Sequence, residues 1–443
     1  MSTRTPARSV FDAGLPALDY DLYATPGQAY PEIREAQRIA PIAIGPAGPE
    51  ILSYNLNRAI LRDERFVMPP GMNLTAQGVT SGLMWDKVRN NIICLEGPPH
   101  SRLRNLVSKA FTPRSTAQLD ETIDEVVSEL IDGVVDTGSC EFVDAIARPY
   151  PVPIICALIG APREDWQQIS AWTDDVFKAF GMASNAGRDE PIIMAAWAEL
   201  DAYVDEMVAR RRRRLTDDLL SELIRARDDG DKLSGPELRM LVTGLLMAGT
   251  DTTRNQLAAS VDVLADHPQS WALLGRRPEL AAPAVEETMR HSPAICGSAR
   301  VAVDGAEFGG YVFPRGALII VNTFAANRDP EVYEFPDRFD IARTDAPAIL
   351  TFGGGVHYCL GANLARRELA AALRIMATRL PNLRRVAPTL WKPIHGVSGP
   401  AAMHLAFGGA PSSSLADTIA SSADVSRAYA QISEYKFSTC NSA

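Results

Sequence analysis

Phe352–Gly361, FGGGVHYCLG, sets one cysteine, Cys359, among four glycines, a histidine and an aromatic. The apolar helical pattern NLARRELAAALRIM follows at once, over residues 363–376. A thiolate near neutral pH needs a positive or dipolar environment. A helix opening near Gly361 supplies one, through unpaired N–H groups and the positive end of its dipole. Glycines at 353, 354, 355 and 361 permit a tight, left-handed backbone and close approach of a flat ligand. Leu364, Leu369, Ala372, Leu373 and Met376 form an apolar stripe that anchors the helix. The segment reads as a mount for a thiolate ligand. Zinc lacks a second ligand pair beside His357 and Cys359, and no Gly-Lys-Ser/Thr follows to make a phosphate loop. A buried structural cysteine beside a turn is the alternative, and the restrictive spacing F-G-x-G-x-H-x-C-x-G-x-x-L-A-R argues against it.

Around this loop lie 443 residues with a formal net charge of -10. Such an acidic chain is a poor general binder of nucleic acid or anionic membrane. No apolar run approaches the roughly 20 residues of a membrane span, and MSTRTPARSVFDAG has no signal-peptide core. The expected location is cytoplasmic. The six cysteines lack CxxC spacing and are expected to be reduced. Helical periodicity predicts helices over 98–110, 116–134, 163–180, 190–213, 235–265, 279–291 and 361–380. Short strands are expected in GPEILSY, SARVAVD, ALIIVNT and AAMHLAF. No βαβ alternation appears, so the expected class is mainly α with small β-sheets in one large domain, 19–408. An N-terminal extension, 1–18, and a polar tail, 409–443, with one weak helix around 415–432, complete the chain. The run Arg210–Arg214 reads as a solvated helix end rather than a nuclear signal or an anion site.

FGGGVHYCLGANLAR resembles the haem-binding loop of cytochrome P450 monooxygenases, and the resemblance extends from roughly Asp19 to Phe407. It implies the P450 fold, a haem b held in part by Phe352, Gly353 and Gly361, and Cys359 as the axial thiolate. In this family the thiolate pushes electron density toward O–O cleavage.

The segment LLMAGTDTTRNQLAASV, 245–261, carries Gly249 inside a long apolar helix, at a cost of about 1 kcal/mol against Ala. Read alone, it is equally a small-residue helix contact with a polar face. Beside the cysteine loop, it resembles the family's oxygen-activation groove. Ala248 and Gly249 would make room for dioxygen, Thr252 would hydrogen-bond the reacting oxygen, and Asp251 would feed protons through water. The resemblance also makes Glu287 and Arg290 of VEETMRHSP, with Arg338 of PDRFD, a structural triad behind the loop. It assigns His100 and Arg104 of GPPHSRLRNLVSKAF, Arg300 of SARV, and His357 to the two propionates, since a buried carboxylate must be paired.

The expected pocket lining includes Met84, Trp85, Phe180, Leu245, Ala294 and Ile295, with Met68, Met72, Leu74, Phe177 and Met182 nearby. Few charges occur there, which suits a small apolar substrate: a terpenoid, steroid, fatty acid or aromatic. No flavin or iron–sulfur signature accompanies the haem domain. Electrons are therefore expected from a ferredoxin and its reductase, docking on Lys109, Arg114, Arg366 and Arg367 of a monomer. A peroxide-driven peroxygenase and a non-catalytic haem sensor are the rival readings. The Asp251–Thr252 pair weighs against both.

Overall fold

The structure, a computed structural model, describes residues 7–181, 185–228, 233–344 and 346–408. The expected tail with its weak helix, Cys440, and the pocket candidate Met182 lie outside these residues. Helices dominate: α1 (Pro26–Ile39), α2 (Gly97–Ser108), α3 (Asp120–Asp132), α4 (Pro151–Ile159), α5 (Trp166–Phe177), α6 (Ala186–Arg213), α7 (Gly235–Ala265), α8 (Ala281–His291) and α9 (Ala362–Arg379), with shorter turns between. Among the described residues, no helix is long and apolar enough to cross a membrane.

The spine is α7. Ser234 and Glu237 close a capping box at its start, with Ser234 N–H donating to Glu237 Oε2 at 2.8 Å and Pro236 in the first turn. Its residues are apolar nearly all round, so α4, α5, α6, α8 and α9 pack about it. Polar side chains inside such a helix need partners, and they attach neighbouring segments. Ser260 donates to Thr288 at 2.9 Å. Gln256 accepts from Ala294 N–H at 2.8 Å. Asp262 takes Arg385, Thr389 and Trp391.

The stripe expected after the cysteine loop is buried in α9: Leu369, Ala372, Leu373 and Met376 are at most 1% exposed. Burying each large side chain contributes about 1.5–3 kcal/mol. The opposite edge of α9 meets α3 through Arg367–Asp120 at 2.7 Å, Arg374–Asp124 at 2.6 Å and Arg379–Asp132 at 2.5 Å. These half-exposed pairs set the register of the two helices more than their stability.

One five-stranded sheet flanks the helices: β1 (Ile42–Gly45), β2 (Gly48–Ile51), β3 (Phe66–Val67), β4 (Ser298–Ala302) and β5 (Leu318–Val321), in the order β1-β2-β5-β4-β3. Only β2 and β5 run parallel, with Glu50 opposite Ile320. A C-terminal hairpin, β6 (Leu390–Trp391) and β7 (Pro400–Ala402), lies along α7.

Two expectations change. Residues 8–18 are not separate from the main body: Arg8–Ser9 pair with Tyr311–Val312, Val10 is fully buried, and Leu18 N–H donates to Ile44 at 2.8 Å. The helix α4, PVPIICALI, has no counterpart in the expected set. Its prolines occupy the first turn, where N–H groups are unpaired anyway. Nearly every residue in it is buried, so no polar face marks a period.

Candidate active site

Cys359 ends a loop with a locked backbone. Its N–H donates to Phe352 O at 2.9 Å. Gly353 and Gly355 take left-handed φ values of 71° and 64°. A Cβ on Gly355 would lie 2.2 Å from the Leu61 carbonyl oxygen, so the loop is wedged against the turn at Leu61–Arg62. The close approach that requires glycine here is to protein backbone. Gly361, in contrast, has φ -83° and open space around it. Burial pushes the Cys359 thiol up, while the Gly361 amide bonded to the sulfur and the charges of Arg104 and Arg366 pull it down. The Arg366 guanidinium covers the Phe352 ring at 4.3 Å and pairs with Glu286 at 2.5 Å.

On one side of this loop the candidate cations gather. The rings of His100, from α2, and His357 lie 4.5 Å apart. His357 Nε2 is 3.0 Å from Glu96 Oε1, which also accepts from Met68 N–H at 2.7 Å. Arg300, from β4, is 4% exposed and reaches Met68 Sδ at 2.9 Å and Ala299 O at 2.8 Å. Among the described residues, no carboxylate lies within ion-pair distance of it, and burial lowers its pKa to about 10. Burial first, then His357 and Arg104, pushes His100 down to about 4. Arg104 also belongs to the cysteine loop, because its guanidinium donates to the Tyr358 carbonyl. A buried guanidinium without a counter-anion is the environment a propionate would fit. Glu96 was not foreseen, although its place just before the first turn of α2 was a signal.

The second motif lies in the middle of α7. Between Leu241 and Leu264 only Ala248, Gly249, Thr252 and Arg254 escape burial, and Ala248 is exposed within the longest helix of the described residues. Ala248 and Thr252 are one turn apart on one face. This opening suits a flat cofactor. Thr252 Oγ1 donates to the Ala248 carbonyl at 2.9 Å, a bond that bends helices locally. The missing Cβ of Gly249 points elsewhere: it would lie 2.8 Å from Ile155 Cγ1 of α4. Gly249 therefore serves helix packing. Asp251 faces away from the opening and is 6% exposed. Its Oδ1 accepts from Arg254 Nε at 2.7 Å and Asn255 Nδ2 at 2.9 Å, and Arg254 also pairs with Asp174 at 2.6 Å.

The expected triad needs one correction. Glu287 and Arg290 pair at 2.7 Å in a nearly dry site. Their third member is Arg343, whose Nε donates to Glu287 Oε2 at 3.1 Å. Arg338 has a 67% exposed side chain that pairs with Asp340, and only its backbone carbonyl accepts from Arg290 and Arg343. The meander, the irregular stretch from Pro336 to Arg343, turns back after Arg338, so the later arginine reaches inward.

Of the expected pocket residues, Met84, Trp85 and Phe180 share an apolar cluster with Leu74, Trp197 and Met247. Trp85 lies where a Cβ on Gly71 would be. Leu245 belongs to the main core cluster instead. Ala294 and Ile295 come from the segment after α8, where Ile295 pairs with Val397 and Ala294 O accepts from Ser398 N–H at 2.8 Å. Of the expected docking cations, Arg366 and Arg367 are already paired with Glu286 and Asp120. Lys109 and Arg114 are exposed.

Comparison with known proteins identifies the family. The sequence model of a family described as Cytochrome P450 matches residues 166–274 and 277–379. Luteothin monooxygenase of Streptomyces thioluteus is 35% identical over 405 residues, 90% of this chain and 97% of the relative. Mycinamicin IV hydroxylase/epoxidase of Micromonospora griseorubida is 37% identical over 365 residues, covering 81% of this chain and 89% of the relative. The solved structure of CalO2 superimposes with a TM-score of 0.80 at 33% identity, covering 86% of this chain and 96% of that one.

Proposed function

Because the chain belongs to the cytochrome P450 family and is a haem-b oxygenase, we propose that it inserts one oxygen atom from O2 into a small apolar substrate, using electrons from a separate ferredoxin and ferredoxin reductase. The observation that carries the reading is the opening along Ala248 and Thr252 on α7, with Asp251 behind it. Two relatives, the luteothin monooxygenase and the mycinamicin IV hydroxylase/epoxidase, support hydroxylation or epoxidation as the outcome.

When bound, the haem supplies oxygen activation, with a cysteine thiolate donating electron density. Cys359 is the thiolate, and its Gly361 amide and neighbouring arginines temper its charge. Arg300, His100 and His357 hold the propionates, with Arg104 bridging to the cysteine loop. Ala248, exposed on α7, would leave room for the haem. Thr252 holds a proton at Oγ1, and Asp251 passes protons toward it. Met84, Trp85, Phe180, Ala294 and Ile295 exclude water and favour apolar substrates of terpenoid, steroid, fatty-acid or aromatic character. The exposed Lys109 and Arg114 form the docking face for an acidic electron donor.

A screen of diverse apolar compounds for type I spectral shifts identifies ligands. Turnover of the strongest hit with NADH, ferredoxin, reductase and O2, giving an oxygenated product, is the expected result. Turnover with hydrogen peroxide alone, and none with the electron donors, would establish a peroxygenase instead.

A further inference from the structure

A half-buried lysine that none of the steps above uses lies behind Asp251. Lys392 directly follows β6, and its Nζ donates to Asn255 Oδ1 at 2.9 Å. The other end of the same amide, Nδ2, donates to Asp251 Oδ1 at 2.9 Å and to the Asp251 carbonyl at 2.7 Å. One buried side chain thus spans an ammonium and a carboxylate. Neither end has room to drift. Lys392 N–H donates to Gly399 O at 2.9 Å, and a Cβ on Gly399 would lie 2.9 Å from Asn255 Cβ.

The surrounding charges are few and fixed. Asp251 and Arg254 come from α7, Asp174 from α5, and Arg148 from the turn before α4. Arg254 holds Asp251 and Asp174, and Arg148 holds Asp174 at 2.5 Å. Among the described residues, no carboxylate pairs directly with Lys392 within ion-pair distance, so its charge acts on Asp251 through Asn255 and through space. A methionine would fill this volume without desolvating a charge. The carboxylate itself is held asymmetrically: Oδ1 takes Arg254 and Asn255, and Oδ2 takes no hydrogen bond from the described residues. This arrangement fixes the group by one oxygen and leaves the other for a proton.

We propose that Lys392 is a positioning residue for oxygen activation: acting through Asn255, it holds Asp251 oriented so that Oδ2 serves proton delivery. This rests on the reading of Asp251 as the proton-passing group. The lysine does not touch substrate, and no proton needs to leave it.

The test uses the holoenzyme and the strongest hit of the spectral screen. Lys392→Met should lower product formed per O2 consumed by about fivefold, with the balance as hydrogen peroxide. Lys392→Arg, which keeps the charge, should stay within about twofold of the parent. Haem content and the spectral shift should be unchanged in both. Asn255→Ala removes the bridge and should match Lys392→Met, which keeps the proposal testable if that variant does not fold. A second readout needs no substrate: urea midpoints of Lys392→Met, Asp251→Asn and the double variant should be non-additive. Tight coupling in Lys392→Met or Asn255→Ala beside an uncoupled Asp251→Asn would overturn the role of Lys392 alone. Additive midpoints would also overturn it. Tight coupling in Asp251→Asn would bring down the reading of Asp251, and this inference with it.

Discussion

Arg343 Nε lies 3.1 Å from Glu287 Oε2, while Arg338, earlier in the same meander, spends its side chain on Asp340 at the surface. With Arg290, this closes a cage in which both carboxylate oxygens of Glu287 are satisfied. Arg343→Ala should therefore destabilise the protein by about 2 kcal/mol, the worth of a hydrogen bond to a buried charge. Arg338→Ala should change stability by less than about 0.5 kcal/mol. Urea unfolding followed by circular dichroism measures both. Equal losses would mean that the meander can exchange one arginine for the other.

Cys359→Ser keeps the loop geometry, which is set by backbone bonds and by Gly353 and Gly355. The expected result is a native far-ultraviolet spectrum and loss of the red-shifted Soret band of the reduced carbonyl complex. A persistent band would remove Cys359 as the axial ligand.

Thr252→Ala leaves the Ala248 carbonyl without its side-chain donor and takes the proton-bearing oxygen out of the opening. Product per O2 consumed should fall by about tenfold or more, with peroxide rising to match, since general acid assistance of this kind contributes at least that much. Product and peroxide are measured together. Unchanged stoichiometry would contradict the role.

His291 links stability to pH. Burial, with Arg328, Arg290 and His267 nearby, pushes it down from 6.5 to about 2. Below pH 6.5 the unfolded chain takes up a proton that the native imidazole refuses. The contribution is complete above 6.5 and is lost as pH falls, with a slope approaching about 1.4 kcal/mol per pH unit. His100 and His395 act in the same direction. Urea unfolding at several pH values between about 7.5 and 5 should show a shallower slope for His291→Gln than for the parent, by close to one proton. Identical slopes would mean that the native site accepts the charge.

Most of the long helices, though not α1 or α4, and the cysteine loop were legible because each carries a local signature. The period of α9 and the spacing around Cys359 are properties of adjacent residues. What was not legible depends on partners distant in the chain. Gly249 seemed to make room for oxygen, yet its neighbour is Ile155. Arg338 and Arg343 stand in the same polar stretch, and only the turn of the meander decides which one points inward. Asn255 and Lys392 carry no motif, and they matter through hydrogen bonds that no spacing reveals. Of the docking cations, Arg367 was already engaged by an acidic residue from another helix.

The wedge between Gly355 and Leu61 has a consequence for how the molecule is made. The ligand loop leans on a turn near the beginning of the chain, far from the sulfur in sequence. The site is then completed by a contact of very high sequence separation, the slow kind in folding. Cofactor capture through Cys359 must therefore wait until most of the polypeptide has been synthesised.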